Sequence, residues 1–212
     1  MIEVVPSILV DTKEELEAKI KKLELVAGRV HIDIMDGSFG LRKTGFGHED
    51  VASLNTGLVI DVHLMVIHPQ SYLPHWFLPK VDRIFISAEA EGELKDLLIM
   101  IKAQGKKAGL VLNPETSIDA VYECLEVVDC IQFMAVHPGT NGGLFLSDVV
   151  EKIINFHDLY PDTLISVDGG MNPATSQLVR GVGAQVIVSG SYVSSAEDPA
   201  KAMAELKEGG LQ

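Results

Sequence analysis

Short apolar, β-branched runs recur eight times along the chain, and most are separated by segments with the spacing of an amphipathic helix. The runs span residues 2–5, 30–34, 58–63, 81–86, 108–112, 130–135, 164–167 and 185–188. Alternating strands and helices predict parallel βαβ units, and nearly continuous apolar strands are typical of a sheet covered on both faces. Eight such units in 212 residues predict a single (β/α)8 TIM barrel over residues 1–212.

The segments between the runs carry recognisable helix starts. Asp11 or Thr12 can cap the first helix, and Asn172-Pro173 is a favourable start for a later one. The clearest helical segments cover residues 12–25, 93–104, 117–127, 146–159 and 173–181. The main alternative is an open, doubly wound sheet, which is expected to carry a glycine fingerprint after its first strand. Here Pro6-Ser7-Ile8-Leu9 follows instead, which favours the barrel.

Charge and cysteine content exclude several functional classes. The net charge of −13 argues against general binding to nucleic acid or to an anionic membrane, although it is compatible with a small anionic ligand. Cys124 and Cys130 are too few for a disulfide scaffold and lack zinc-finger spacing. The N-terminus does not resemble a signal peptide, and no run is long enough for a membrane helix. We therefore expect a cytoplasmic protein.

Acidic and imidazole side chains lie two residues apart on two of the apolar strands, and a third strand ends in an aspartate. Because strand side chains alternate, His31 and Asp33 share a face, His63 lies on the next strand, and Asp168 ends the seventh. Charges on such strands are costly to bury unless they are paired or bound to metal. The four residues therefore predict a site for one divalent ion, with Zn, Fe, Mn and Co all compatible.

Two nearby aspartates have other predicted roles. Asp36 precedes Gly37, so we interpret it as a turn or capping residue. Asp61 is expected to face the barrel interior one layer below His63, where it would be a partner for a metal-ligating side chain.

Glycine-rich segments follow the last three strands, where barrels often bind phosphate. Close backbone approach makes Gly169, Gly170, Ser189, Gly190 and Ser191 candidate anion-binding residues. A segment with Gly139 and Gly142 follows the sixth strand and is a candidate lid. Three methionines, Met35, Met65 and Met134, are expected to ring the same mouth as an apolar wall.

Together these residues resemble the ribulose-phosphate 3-epimerase family through almost the whole chain. The matching stretches are Pro6-Ser7-Ile8-Leu9, His31-Ile32-Asp33-Ile34-Met35-Asp36-Gly37, Asp61-Val62-His63-Leu64-Met65-Val66, residues 109–116, Met134 with Val136, Pro138-Gly139, Val167-Asp168-Gly169-Gly170 and Val188-Ser189-Gly190-Ser191. The stretch from His31 to Gly37, followed by the stretch from Asp61 to Met65, is specific to the family, whereas the loop glycines are not.

The resemblance implies a phosphate-binding barrel with one divalent metal. It implies metal ligands at His31, Asp33, His63 and Asp168, with Asp33 and Asp168 also acting as the two acid/base groups. Ser7, His31, His63 and the three methionines would contact the substrate. The implied reaction inverts C3 of a ketose phosphate, interconverting ribulose 5-phosphate and xylulose 5-phosphate, and the family suggests a homo-oligomer.

The chain also departs from the family pattern near the sugar and the lid. Ser38 and Ser87 stand where the family usually has His, and Asn141 and Gly143 stand where it usually has Gly and Gln. A six-carbon substrate such as allulose 6-phosphate is therefore one alternative, and a barrel that binds phosphosugars without turnover is another. The related orotidine and hexulose-phosphate lyases need an Asp-x-Lys-x-x-Asp strand, and the corresponding strand here contains no Lys.

Overall fold

Eight parallel strands close into a barrel in chain order. The structure is a computed structural model that describes residues 2–40, 42–138 and 143–208. The strands are β1 Glu3–Ile8, β2 Arg29–Met35, β3 Val59–Met65, β4 Val81–Ser87, β5 Lys107–Leu112, β6 Cys130–Met134, β7 Leu164–Asp168 and β8 Val186–Ser189. Each pairs with its neighbours in sequence, and β1 also pairs with β8. The predicted (β/α)8 barrel is confirmed, and a doubly wound sheet is excluded because such a sheet stays open.

Helices cover the outside of the barrel. They are α1 Lys13–Leu23, α2 His48–Ser53, α3 Pro69–Trp76, α4 Leu94–Ala103, α5 Asp148–Leu159, α6 Pro173–Gly181, α7 Ser191–Ser194 and α8 Pro199–Glu208. The predicted helix starts are correct: Thr12 caps α1 in a reciprocal arrangement with Glu15, and the Asn172 side chain caps α6. The short helices α2, α3 and α7 and the terminal α8 were outside the segments predicted from periodicity.

One predicted helix has a different form. Residues 117–127 contain a 3₁₀ helix at Ile118–Cys124 rather than an α-helix. Its buried residues, Val121 and Cys124, lie three apart, which suits a helix of three residues per turn. The Ser117 side chain accepts a hydrogen bond from the backbone N–H of Asp119, which fixes the start of this tighter turn.

The principal core lies between the barrel and its helices. Outward-facing strand residues such as Ile32 and Leu110 belong to a large buried cluster together with helix residues such as Leu16 and Phe156. Inside the barrel the apolar clusters are small, one of them containing Phe85 and its neighbours on β5 and β6. The barrel interior therefore contains many polar groups, and they are divided between its two ends.

Charged side chains are paired with one another at the amino-terminal end of the interior. Asp61 accepts a hydrogen bond from Arg83 at 2.8 Å and another from Arg29. Arg83 also contacts Glu3 at 3.1 Å, and Arg29 contacts Asp82 at 2.7 Å. The interpretation of Asp61 as a partner of a metal-ligating side chain is wrong, because both of its oxygens accept from arginines.

Candidate active site

Strand register brings the predicted acidic and imidazole residues to the carboxyl end of the barrel. On β2 and β3, Asp33 lies opposite His63, and Met35 lies opposite Met65. Asp168 is the last residue of β7. Since the carboxyl ends of parallel strands meet at one mouth, residues distant in sequence are expected to converge there.

Four of these side chains form a compact cluster. Ligand atoms of His31, Asp33, His63 and Asp168 all lie within 4.8 Å of one another, and all four residues are buried. An oxygen of Asp33 lies 3.2 Å from Nδ1 of His63 and 3.5 Å from Nε2 of His31. This is the one group of three or more potential metal-ligating side chains found among the described residues.

The hydrogen bonding of His31 fits a metal ligand. The residue is fully buried, yet neither ring nitrogen has a hydrogen-bond partner among the described residues. Such a nitrogen is costly to bury without a partner, and a divalent cation satisfies its lone pair. Two imidazoles and two carboxylates are a donor set that suits Zn, Fe, Mn or Co. The four residues therefore fit the predicted ion.

The two carboxylates differ in their affinity for protons. Burial, followed by the negative charge of Asp33, raises the pKa of Asp168 to about 7. Burial also acts to raise the pKa of Asp33, but the neighbouring imidazoles of His31 and His63 outweigh it and hold that pKa below its usual range. One carboxylate therefore stays ionised while the other can carry a proton near neutral pH.

A pocket opens directly above the cluster. Asp33 and Asp168 reach it, whereas His31 and His63 lie beneath its surface. Two of the predicted methionines, Met65 and Met134, line the pocket. Met35 does not line it in the part of the chain that the structure describes, although it lies beside Met65 in register.

Ser7 and the loops after β7 and β8 line the rest of the pocket. The predicted residues found there are Ser7, Gly169, Gly170, Ser189, Gly190 and Ser191. Gly170 has a φ of 66°, and a Cβ at this position would lie 2.9 Å from Cα of Phe145. A Cβ at Gly190 would lie 2.9 Å from the Ser7 hydroxyl. Neither loop therefore has room for a side chain at these two pocket-lining positions. Gly139 and Gly142 lie outside the described residues.

Asp36 forms a turn at the edge of this mouth, as predicted. One carboxylate oxygen accepts a hydrogen bond from the backbone N–H of Ser38 at 2.8 Å, and the other accepts from Tyr72 at 3.1 Å. The Ser38 hydroxyl also bonds to Asp36 and accepts from the backbone N–H of Ile67 at 3.1 Å. These bonds attach the segment after β2 to the loop after β3.

Several apolar pocket residues were missed by sequence reasoning. Leu9, Val136 and Met171 line the pocket beside the predicted polar residues. All three lie shortly after a strand end, and Leu9 and Val136 also stand in stretches that match the family, but neither signal distinguishes a pocket residue from a core residue. Their residue types are equally typical of a core.

No helix in the described part of the chain is both long and apolar enough to span a bilayer.

The fold and site together define a (β/α)8 barrel with a pocket at its carboxyl end and, beneath that pocket, a buried group of His and Asp residues that could hold a metal ion. The sequence matches the model of the ribulose-phosphate 3 epimerase family over residues 3–194. It is 37% identical to the ribulose-phosphate 3-epimerase of Bacillus subtilis, covering 98% of this chain and 99% of that protein. It is 35% identical to the chloroplastic ribulose-5-phosphate-3-epimerase of Arabidopsis thaliana, covering 97% and 76% respectively.

The chain therefore belongs to the ribulose-phosphate 3-epimerase family, and the prediction that it is an isomerase is confirmed. Among solved structures it is similar to 3-keto-L-gulonate-6-phosphate decarboxylase from Vibrio cholerae, with a TM-score of 0.74 at 12% identity, covering 98% of this chain and 96% of that one. A 3-hexulose-6-phosphate synthase has a TM-score of 0.66 at 15% identity, with 98% and 99% coverage. At such identities these likenesses show the fold alone.

Proposed function

We propose that the protein interconverts D-ribulose 5-phosphate and D-xylulose 5-phosphate by inverting C3. The observation that carries the proposal is the pair of buried carboxylates, Asp33 and Asp168, which reach one pocket with unlike proton affinities. The names of the related proteins support the choice of this pentose phosphate.

The two carboxylates suit a proton transfer across the substrate carbon. Inversion requires removal of the proton next to the carbonyl from one face and delivery of a proton to the other face. Asp33 on β2 and Asp168 on β7 approach the mouth from non-adjacent strands, so they can address opposite faces. The ionised carboxylate takes the C3 proton, the substrate becomes an enediolate, and the protonated carboxyl returns a proton. No electrons are gained or lost overall.

The remaining residues of the cluster support this step. His31, Asp33, His63 and Asp168 would hold a divalent ion, which when bound supplies positive charge that stabilises the negative oxygen of the enediolate. Asp33 and Asp168 are less than a tenth exposed, so little water can reach the carboxyl groups once substrate fills the pocket. Met65 and Met134 provide apolar walls beside the reacting carbon.

The loops after β7 and β8 suit the substrate phosphate. Ser189, Gly190 and Ser191 lie on the same side of the pocket as Gly169 and Gly170. The Ser189 hydroxyl is buried and has no hydrogen-bond partner among the described residues, so it is available to an anion. Phosphate bound here would place the sugar carbons over the two carboxylates.

Proton exchange in D2O tests the proposal. Protein loaded with Mn²⁺ or Zn²⁺, with the bound metal quantified, is incubated with D-ribulose 5-phosphate, and the C3 proton is followed by NMR. We expect exchange together with the appearance of xylulose 5-phosphate. Absence of exchange with metal bound would contradict the proposed substrate. Exchange of allulose 6-phosphate would then identify a six-carbon substrate, whereas phosphosugar binding without any exchange would identify a non-catalytic binder.

A further inference from the structure

A buried amide lies inside the barrel directly below the pocket. Gln132 on β6 and Ser166 on β7 lie opposite each other in register, and both are fully buried. The Ser166 hydroxyl donates to Oε1 of Gln132 at 3.2 Å. Buried polar side chains are costly unless they are hydrogen-bonded, so a buried polar pair inside the barrel indicates a specific structural role.

The amide nitrogen of Gln132 contacts a residue that lines the pocket. Nε2 of Gln132 donates to the Sδ of Met134 at 3.9 Å. A hydroxyl can donate or accept, but a thioether sulfur can only accept. Met134 therefore fixes the orientation of the amide, with its nitrogen toward the sulfur, and Ser166 must then act as the donor.

Met134 is a residue that needs such support. It lines the pocket and lies opposite Asp168 in register. A methionine side chain is unbranched and has three rotatable bonds, so packing alone specifies its conformation poorly. A hydrogen bond to its sulfur restricts the terminal rotations and fixes the wall beside the proton-carrying carboxyl.

We infer that Gln132 and Ser166 are positioning residues that hold Met134 against Asp168 for the proton transfer. The inference rests on the proposed function only for its effect on turnover, because the position of Met134 can be measured without catalysis. Gln132 touches no substrate in this assignment and acts through Met134.

Substitutions can distinguish a positioning role of Gln132 and Ser166 from a role in filling space. Gln132→Leu with Ser166→Ala replaces the pair with apolar groups of similar volume and leaves no unpaired polar atom, so the double variant is expected to fold. It also adds no further methionine to the spectrum. Ser166→Ala alone keeps the bond from Gln132 to Met134 but removes the donor behind it. Cys130→Ala is the matched control, because Cys130 is another inward-facing residue of β6 whose thiol donates to the backbone of Ile131 and not to the side chain of Gln132 or Met134.

The experiment combines steady-state kinetics with NMR of methionine ε-methyl groups labelled with ¹³C. The chain contains seven methionines, and Met134→Leu assigns the relevant signal. In the double variant we expect that signal to move to the shift of a rotationally averaged methyl group, with kcat lowered about tenfold and KM within about twofold. Ser166→Ala should show a smaller change in both readouts, and Cys130→Ala should match the wild type.

Each outcome is decisive. An unchanged Met134 signal in the double variant overturns the positioning role, and so does an averaged signal with unchanged kcat. If the double variant does not fold, Ser166→Ala decides the same question by the same two readouts. A wild type that fails to exchange the C3 proton contradicts the proposed function instead, while the methyl signal still shows whether Gln132 and Ser166 hold Met134.

Discussion

The two ends of the barrel interior solve the problem of buried charge differently. At the amino-terminal end, Asp61 has guanidinium partners from Arg29 and Arg83. At the carboxyl end, Asp33 has only imidazole partners, and Asp168 has no ion pair to any described residue. Asp61, Asp33 and Asp168 are all buried, so burial of the carboxylate does not explain the difference.

This contrast distinguishes charge used for structure from charge used for function. A carboxylate whose oxygens both accept from buried arginines contributes to the structure and has no oxygen left to bind a ligand. A buried carboxylate without a cationic side chain beside it has a perturbed proton affinity and can still bind an external cation, and both are properties of functional sites. The same residue type therefore contributes to stability at one end of the barrel and to chemistry at the other.

Asp168→Asn is expected to have the largest effect, and that effect should be on turnover and not on the stability of the metal-free protein. An amide cannot carry the proton, so kcat should fall by about 10²–10⁴-fold, the range of general acid/base catalysis. The substitution also removes the repulsion from Asp33, so the thermal midpoint of the metal-free protein should not fall. Proton exchange at C3 and thermal unfolding measure the two effects.

The control is Asp82→Asn, which removes a carboxylate from the opposite end of the barrel and should leave turnover unchanged. Substantial exchange by Asp168→Asn would contradict the two-carboxylate mechanism.

Asp61→Asn should have the opposite pattern. It leaves Arg29 and Arg83 without their shared buried partner, which is expected to lower the free energy of unfolding by about 3–5 kcal/mol. Urea unfolding measures this change. Asp82 is more exposed, so Asp82→Asn should cost less than about 1 kcal/mol. If both variants lose the same free energy of unfolding, burial does not determine how much each ion pair contributes to stability.

Divalent metal should stabilise the protein through the carboxyl end only. With Mn²⁺ at a hundredfold excess over its Kd, the free energy of unfolding should rise by about 2.7 kcal/mol. The double variant His31→Ala/His63→Ala should lose this gain, because it removes both nitrogen ligands. His75→Ala removes an exposed imidazole and should retain the gain. Stabilisation of all three proteins to the same extent would place the metal elsewhere.

Sequence patterns were sufficient for the barrel and for the convergence of the four acidic and imidazole residues. Alternation along β2 and β3 determines which side chains face inward, and parallel pairing determines that strand ends meet. These are local rules, and the strands obey them. The single cluster that contains His31, Asp33, His63 and Asp168 follows from them directly.

The partners of inward-facing side chains could not be predicted in the same way. Asp61 has the same spacing from His63 as His31 has from Asp33, yet it pairs with Arg83, which is 22 positions away. No local sequence pattern predicts that Arg83 is the partner. The link from Gln132 to Met134 likewise depends on rotamers and on Ser166 in the next strand. Register can place two residues on one face, but the choice of hydrogen-bond partners is a property of the closed barrel.

The smallest expected effect concerns Cys130, an uncharged group of the barrel interior. Burial raises the pKa of its thiol from 9.0 to about 12. Because the folded protein holds this proton more tightly than the unfolded chain, the stability that it contributes is present below pH 9 and is lost as the pH rises towards 12. At pH 10 the loss should be about 1.4 kcal/mol. Urea unfolding at pH 8 and pH 10 should show this extra loss in the wild type but not in Cys130→Ala. An equal loss in both proteins would mean that the thiol ionises in the folded barrel as readily as in water.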